Sequence, residues 1–278
     1  MADFCGWFGI SRQAHYQQRQ RTEAATSEDE QLVTWVQALR HRHPHMGGRK
    51  LLHELQPQMQ ATGIQLGRDR FFELLAQHDL LLPRPKQKRR TTWSGFWRCP
   101  NLLSELHLTQ VQQVWVCDIT YLETEHGFCY LTLVTDAFSR FIVGFDVATS
   151  LAVDSALCAL DMAIAQTQGS LAGLIHHSDH GVQYTCHPYR NALAKHLIRS
   201  SMGEVGNCYD NALAAPNGHP VNGILKLEYG LGERLLGFPH AQLATRQAIW
   251  LYNHERPHLS LGFQKPAEVH SLRPPSLS

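Results

Sequence analysis

Cysteine pairs are missing from this sequence. Its seven cysteines, at 5, 99, 117, 129, 158, 186 and 208, are odd in number, scattered and never spaced as CxxC. That speaks against a disulfide framework and against a zinc knuckle. Long apolar runs are missing too: none approaches the roughly 18 residues a bilayer span requires, so no membrane is expected. The opening MADFCGWFGISRQ has no basic stretch leading into an apolar run, so no secretion signal is read there and a reducing cytoplasm is the expected compartment. No heptad run is found, which leaves no coiled coil to expect. Net charge is almost absent, +1 over 278 residues, but the balance hides a division. Residues 1–105 hold 15 Lys+Arg against 10 Asp+Glu, a surplus of +5, whereas residues 106–278 hold 10 against 14, a deficit of −4. The cationic half suits a phosphate backbone. The acidic half is where metal-binding chemistry is expected.

What is present is 43% hydrophobic and 18% charged, the make-up of a globular protein long enough for one large core and a smaller module. Residues 7–20 read as a short helix from Ser11, capped by its hydroxyl. SEDE from Ser27 fits a capping box, with Leu32, Trp35, Val36 and Leu39 at helical spacing after it, so a separate helix is expected over about 28–41. HRHPH breaks it, Gly47 and Gly48 reopen the chain, RKLLHELQ starts a second helix that Gly63 ends, and LGRDRFFELLAQHDLL makes a third. Three short helices with Arg49, Lys50, Arg68 and Arg70 at their tips point to a helix-turn-helix DNA-binding module over 27–83, after a short helical segment over 1–26. The alternative is a plain helical bundle with solvated arginines.

Residues 84–98, RPKQKRRTTWSGFWR, hold six Lys or Arg, among them Lys86, Lys88, Arg89 and Arg90, no acid, and Trp93, Phe96 and Trp97. Basic charge can follow phosphates while the rings stack on bases; the alternative for this linker, 84–107, is a basic tether whose aromatics dock on protein. From 113 the period becomes two, in QVWVCDITYL, CYLTLVTD and FIVGFDVA, which predicts three consecutive antiparallel strands. A helix (SLAVDSALCALDMAIAQTQG), a strand (LIHHSD), a helix (PYRNALAKHL), a strand (IRSSM) and a further helix follow. This order indicates an α/β fold, a mixed sheet flanked by helices. HAQLATRQAIWLYN is a last helix before a Pro-rich tail, together 233–278.

Asp118 lies in the middle of an otherwise apolar strand and Asp179 at the end of another. Buried carboxylates are unfavourable unless paired or bound to a cation, and two of them converging on Mg²⁺ are what phosphoryl transfer needs. The competing reading turns each acid to solvent. His176, His177, His180, His187 and Cys186 look like a zinc set but lack a matching spaced pair; His177 reads instead as support for the acid at 179.

The strings WVCDITYL, YLTLVTDAFSRFIVGF, IHHSDHGVQYT, SMGEVGNCYDNALA, LKLEYG and YNHERPHLSLGFQKPAE resemble the successive signatures of transposases of the IS-three group of bacterial insertion sequences. HPHMGGRKLLHEL and GRDRFFELL resemble that family's helix-turn-helix region. The resemblance implies an RNase H-like integrase core over 108–232, shared with retroviral integrases, whose Asp, Asp and Glu hold two Mg²⁺ or Mn²⁺ ions. It also implies DNA partners (terminal inverted repeats and target DNA), a homo-oligomer, association with the nucleoid, and an upstream-frame protein joined by ribosomal frameshifting. Position by position, Asp118 matches the first acid and Asp179 the second. Asp136 and Asp210 lie in shared strings without belonging to the triad.

The third acid is where this chain departs from the pattern. With 35 residues between the second and third acids, the count from Asp179 (180–214) lands on Ala215, and counting back from Lys226 reaches His219. Between them stands APNGHP. Pro216 and Pro220 forbid a continuous helix, since an interior proline costs about 3 kcal/mol, and the helix is expected to restart at Pro220. Glu228 is no substitute: nine residues past His219 is about 13.5 Å along a helix and on its opposite face. Three functions stay open: a transposase of doubtful activity; a catalytically inactive DNA-binding remnant or inhibitor of transposition; and, more weakly because the motifs run on into the C-terminal tail, a structure-specific nuclease on the same fold.

Overall fold

The computed structural model describes residues 12–82, 99–103, 106–167, 169–203 and 221–272. The chain divides into two compact units, 1–84 and 85–278. The linker cations Lys86, Lys88, Arg89 and Arg90, Asp210 and the whole Ala215 to Pro220 segment lie outside the described residues.

The first unit is helical: α1 (Arg12–Arg42), α2 (Gly48–Thr62) and α3 (Arg68–Gln77). α1 corrects the expectation of two separate N-terminal helices. It runs unbroken for 31 residues, because no glycine or proline interrupts 12–42 and Ser27, a capping residue in other settings, stands in its interior. Leu32 and Val36 of α1 meet Leu51, Leu55 and Met59 of α2 and Phe71, Leu74 and Leu75 of α3 in one core. These i, i+4 stripes are the periodicity that predicted the helices. α2 ends as expected at Gly63 (φ 76°), whose left-handed backbone lets the Ile64 N–H reach the Met59 carbonyl at 2.9 Å.

The second unit is built on a five-stranded sheet of order β3-β2-β1-β4-β5. β1 (Val114–Thr124), β2 (Gly127–Asp136) and β3 (Ile142–Ala148) form the predicted antiparallel meander, and β4 (Ile175–Ser178) and β5 (Arg199–Met202) add to β1 in parallel. α4 (Val153–Gln166), α5 (Val182–Thr185) and α6 (His187–Lys195) come between the later strands. After them come α7 (Val221–Glu228), α8 (Phe238–His254), a 3₁₀ turn (Leu259–Leu261) and α9 (Pro266–Ser271). The last two lie inside what the sequence presents as a Pro-rich tail. Among the described residues no helix is long and apolar enough to cross a membrane.

Strand alternation sorts side chains to two cores. Trp115, Cys117, Val134 and Val143 pack with Ala156, Ala159, Leu160 and Ala163 of α4, while Leu122, Leu131 and Leu133 pack with Ile224 and Leu225 of α7 and Ile249 and Tyr252 of α8. The alanines let α4 approach closely: a Cβ at Gly144 would run into the Ala159 carbonyl and come within 3.0 Å of the Ala163 methyl. Gly144→Val is therefore expected to lower stability by about 1–3 kcal/mol through overpacking. An unchanged thermal midpoint would mean that α4 can shift at no cost.

Two motifs are explained by the fold. Asp136 is fully buried and accepts hydrogen bonds from Ser139 N–H and Oγ–H (both 2.8 Å) and from Gln112 N–H (2.7 Å), which closes the β2–β3 turn. In YNHERPH, the Asn253 side chain pairs with both backbone groups of Ile142 on β3. The buried Arg256 guanidinium there donates to both oxygens of Glu228, at 2.7 and 2.8 Å, tying α7 to the segment after α8. Glu228 thus serves the packing of α7.

Candidate active site

The parallel pairing of β1 and β4 sets Val116 against His177. Two residues further on, that register brings Asp118 of β1 beside Asp179, the residue after β4 ends at Ser178. The register is held from beneath. The ring of His176 on β4 contacts the Cys117 sulfur of β1 and the Tyr189 hydroxyl of α6, each at 2.8 Å. Burial keeps this imidazole neutral, with a pKa lowered to about 3, and drives the Cys117 thiol well above its usual range. The cluster is a structural tie and the thiol is unreactive.

Both acids are half-buried. Burial raises the Asp118 pKa to about 6; an Asn222 hydrogen bond opposes the rise, the negative charge of Asp179 adds to it, and the Ile119 N–H and the Lys226 cation pull it back. Asp179 is raised by burial as well, against the Gly181 N–H and His180. That N–H meets Asp179 Oδ1 at 2.9 Å, an Asx-type turn legible in the D-x-G of HSDHG. A Cβ at Gly181 would stand 2.9 Å from the same oxygen, so any side chain there would press on the carboxylate. The Tyr184 hydroxyl is buried with no hydrogen-bond partner among the described residues, and its ionisation is disfavoured by burial and, after Cys117 and Tyr189, by the charges of both aspartates.

A third polar group comes from α7. Asn222 is 8% exposed, and its Nδ2 donates to Asp118 Oδ2 at 2.7 Å. Its Oδ1 is buried without a hydrogen-bond partner among the described residues. Neither Asn222 nor Lys226 was singled out from the sequence as a site residue. Lys226 served only as a counting mark, and nothing in VNGILKLE says that its helix lies against β1.

Other sequence-predicted residues fall elsewhere. Among the described residues no group of three or more His, Cys, Asp and Glu side chains is placed to hold a metal ion. The histidines diverge: His177 Nδ1 bonds Ser201 Oγ at 2.9 Å on β5 rather than supporting Asp179, His180 bonds the Gly203 carbonyl, and His187 bonds Asn191. In the helical unit Arg49 is exposed. Lys50 is not: at 6% exposure it lies on the inner side of α2 with Leu51 and Leu55. That burial removes it from the set of helix-tip cations open to a duplex. Arg68 pairs with Asp69 (2.8 Å), and Arg70 with Asp29 (2.7 Å) and Glu73 (3.8 Å), on the surface.

Two carboxylates, one within β1 and one just past the end of β4, both raised in pKa by burial, with the Asn222 amide bonded to the first of them, fit a hard divalent cation. The integrase core domain family model matches residues 109–208, which include both aspartates. The 31 kDa protein of insertion element IS600 from Shigella sonnei is 33% identical over 271 residues, covering 95% of this chain and 96% of that protein. The chain belongs to the IS3 group of insertion-sequence transposases.

Within the IS3 group, transposase InsF of IS3A from Escherichia coli K12 is 35% identical over 137 residues, 49% of this chain and 46% of InsF. The transposase of IS629 from Shigella sonnei is 34% identical over 157 residues, 56% of this chain and 51% of that protein. These two matches span about half of each relative. The HTLV-2 integrase catalytic core, solved with magnesium, superposes with a TM-score of 0.44 at 17% identity, over 58% of this chain and 97% of that one. The IS3-group chain has an integrase core built on a mixed sheet with flanking helices, with a helical module before it in sequence.

Proposed function

We propose that this chain cuts and rejoins DNA at the ends of its insertion sequence, using a divalent ion, Mg²⁺ or Mn²⁺, held by Asp118 and Asp179. The observation that carries the reading is the β1–β4 register, which runs Asp118 of β1 alongside Asp179 just past the end of β4, in a chain whose family is that of transposases. Such an ion, when bound, sharpens a water or 3′-hydroxyl nucleophile and spreads the charge of the scissile phosphate. The chain's own groups do the placing. The Gly181 N–H orients Asp179, the Asn222 amide fixes Asp118, and the Lys226 cation stands near enough to Asp118 to stabilise its ionised form. Attack is in line, with no covalent protein intermediate.

Binding of the terminal inverted repeats and of target DNA falls to the cationic half. Arg49, Arg68 and Arg70 are its surface members, with Lys50 held inside the helical unit, and Lys86, Lys88, Arg89 and Arg90 supply the basic linker. Copies of the chain assemble on the two ends of the element, in the cytoplasm at the nucleoid, together with the product of an upstream frame. A second reading rests on one specific observation: no carboxylate stands at Ala215 or at His219. In it the chain occupies element ends without cutting and inhibits active copies. The experiment that tests the first reading is strand cleavage of a duplex bearing the element's terminal repeat, run beside Asp118→Asn. Metal-dependent nicking lost in the variant supports it, and equal nicking by both proteins overturns it.

A further inference from the structure

The missing third acid leaves a question of charge. Two divalent ions bring four positive charges. Asp118 and Asp179 supply two negative ones, and Lys226 adds a positive charge felt at Asp118. Among the described residues the two carboxylates match one divalent ion, and the Lys226 charge opposes a second. A single ion held by two carboxylates still benefits from a further oxygen, and α7 presents one. The Asn222 carboxamide is more than nine-tenths buried, touches Asp118 through Nδ2 at 2.7 Å, and has a buried Oδ1 with no hydrogen-bond partner among the described residues. A buried amide oxygen without a partner is unfavourable, and turning it towards an ion would relieve that cost.

We infer that Asn222 is the third ligand of a one-ion site, in which its Oδ1 takes up, as a neutral group, a place beside Asp118 and Asp179. The two ends of a carboxamide are alike in shape. Half a turn about the Cβ–Cγ bond exchanges the N–H that steadies Asp118 in the ion-free chain for the oxygen that faces the ion. Amide oxygens serve as ligands to hard cations alongside carboxylates. The same side chain therefore has two tasks: it quiets the Asp118 charge when no ion is bound, and it completes the oxygen set when one is. In sequence Asn222 lies three residues after His219, the place to which the family's acid counts back from Lys226.

This inference rests on the proposed role of Asp118 and Asp179, and its test separates the two. Mn²⁺ binding to the full-length chain, without DNA, is followed by electron paramagnetic resonance of the free ion, with thermal unfolding in EDTA as a check of folding. The native chain is expected to bind one Mn²⁺. Asn222→Ala is expected to weaken binding by about tenfold or more, the range found when groups supporting a metal site are removed. Asn222→Asp, of nearly the same shape, adds a carboxylate and is expected to tighten binding; it reports even if the alanine variant fails to fold. Asp118→Asn is expected to abolish binding. If Asp118→Asn binds Mn²⁺ as the native chain does, the reading of the acid pair itself fails. If Asp118→Asn loses the ion while Asn222→Ala and Asn222→Asp bind it with native affinity, or if the native chain binds two, only the role of Asn222 fails.

Discussion

Asp118→Asn is expected to abolish strand cleavage, leave DNA affinity within about twofold, and raise the thermal midpoint of the ion-free chain at pH 7. The loss of cleavage follows from removing an anionic ligand: a bound ion contributes several kcal/mol to the transition state, so a fall of ~10³-fold or more is expected. DNA affinity persists because the cationic surface lies in the other half of the chain. The gain in stability follows from linkage. Burial raises the Asp118 pKa in the folded chain to about 6, above its ordinary 3.8, so between these values the native state holds more protons than the unfolded one. The group's favourable contribution is complete below pH 4 and is lost as pH rises through about 6. Above that, the ionised carboxylate opposes folding by on the order of 1–3 kcal/mol. A neutral amide removes this penalty. The midpoint difference, measured in EDTA, should therefore be several degrees at pH 7 and should shrink towards zero at pH 4. A variant that melts lower at pH 7, or that loses DNA binding together with cleavage, would contradict the account. By the same linkage, affinity for divalent ions should fall below about pH 6, where the ion must displace a proton from Asp118.

The second large effect is expected from repair of the third corner. Deleting residues 215–218, together with His219→Glu and Pro220→Ala, brings the two registers into one and yields DNALAEAVNGILK, a run free of interior proline. Cleavage should rise by about 10²–10³-fold, the several kcal/mol attributable to a completed ion site. Ion stoichiometry should move from one towards two, since a third carboxylate changes the charge balance. Full activity in the unrepaired chain would rule out the reading as an inactive remnant. A repaired chain that folds and binds DNA but cuts no better would show that the segment from Ala215 to Pro220 is not what limits the reaction.

Much of this was legible beforehand because sheets and helices write their periods into sequence. The alternation in QVWVCDITYL and CYLTLVTD marked β1 and β2, and Gly63 marked the end of α2 through the left-handed backbone it adopts. The two aspartates stood out as charges within apolar strands. Local signals misled where they were not exclusive. The capping box at Ser27 is also an ordinary stretch of helix interior when nothing upstream breaks the chain, which is why α1 begins at Arg12. Lys50 followed Arg49 in a basic pair, but α2 turns about 100° between neighbours, so only the first faces water.

The parts that stayed hidden depend on tertiary contacts. Asn222 looks like any polar residue of an amphipathic helix until α7 is laid against β1. Arg256 and Glu228, 28 residues apart, read as separate charges until α7 and the end of α8 meet. The Cys117, His176 and Tyr189 set, which looks reactive as a list of residue types, is made inert by burial.

Everything proposed for the site depends on one ion shared by Asp118 in β1 and Asp179 past the end of β4, and the most direct measurement is anomalous X-ray diffraction from crystals soaked in Mn²⁺. The account predicts one peak per chain, within about 2.1 Å of a carboxylate oxygen from each of Asp118 and Asp179. A well-ordered site with no peak at saturating Mn²⁺, or a peak held by only one of the two acids, would contradict it.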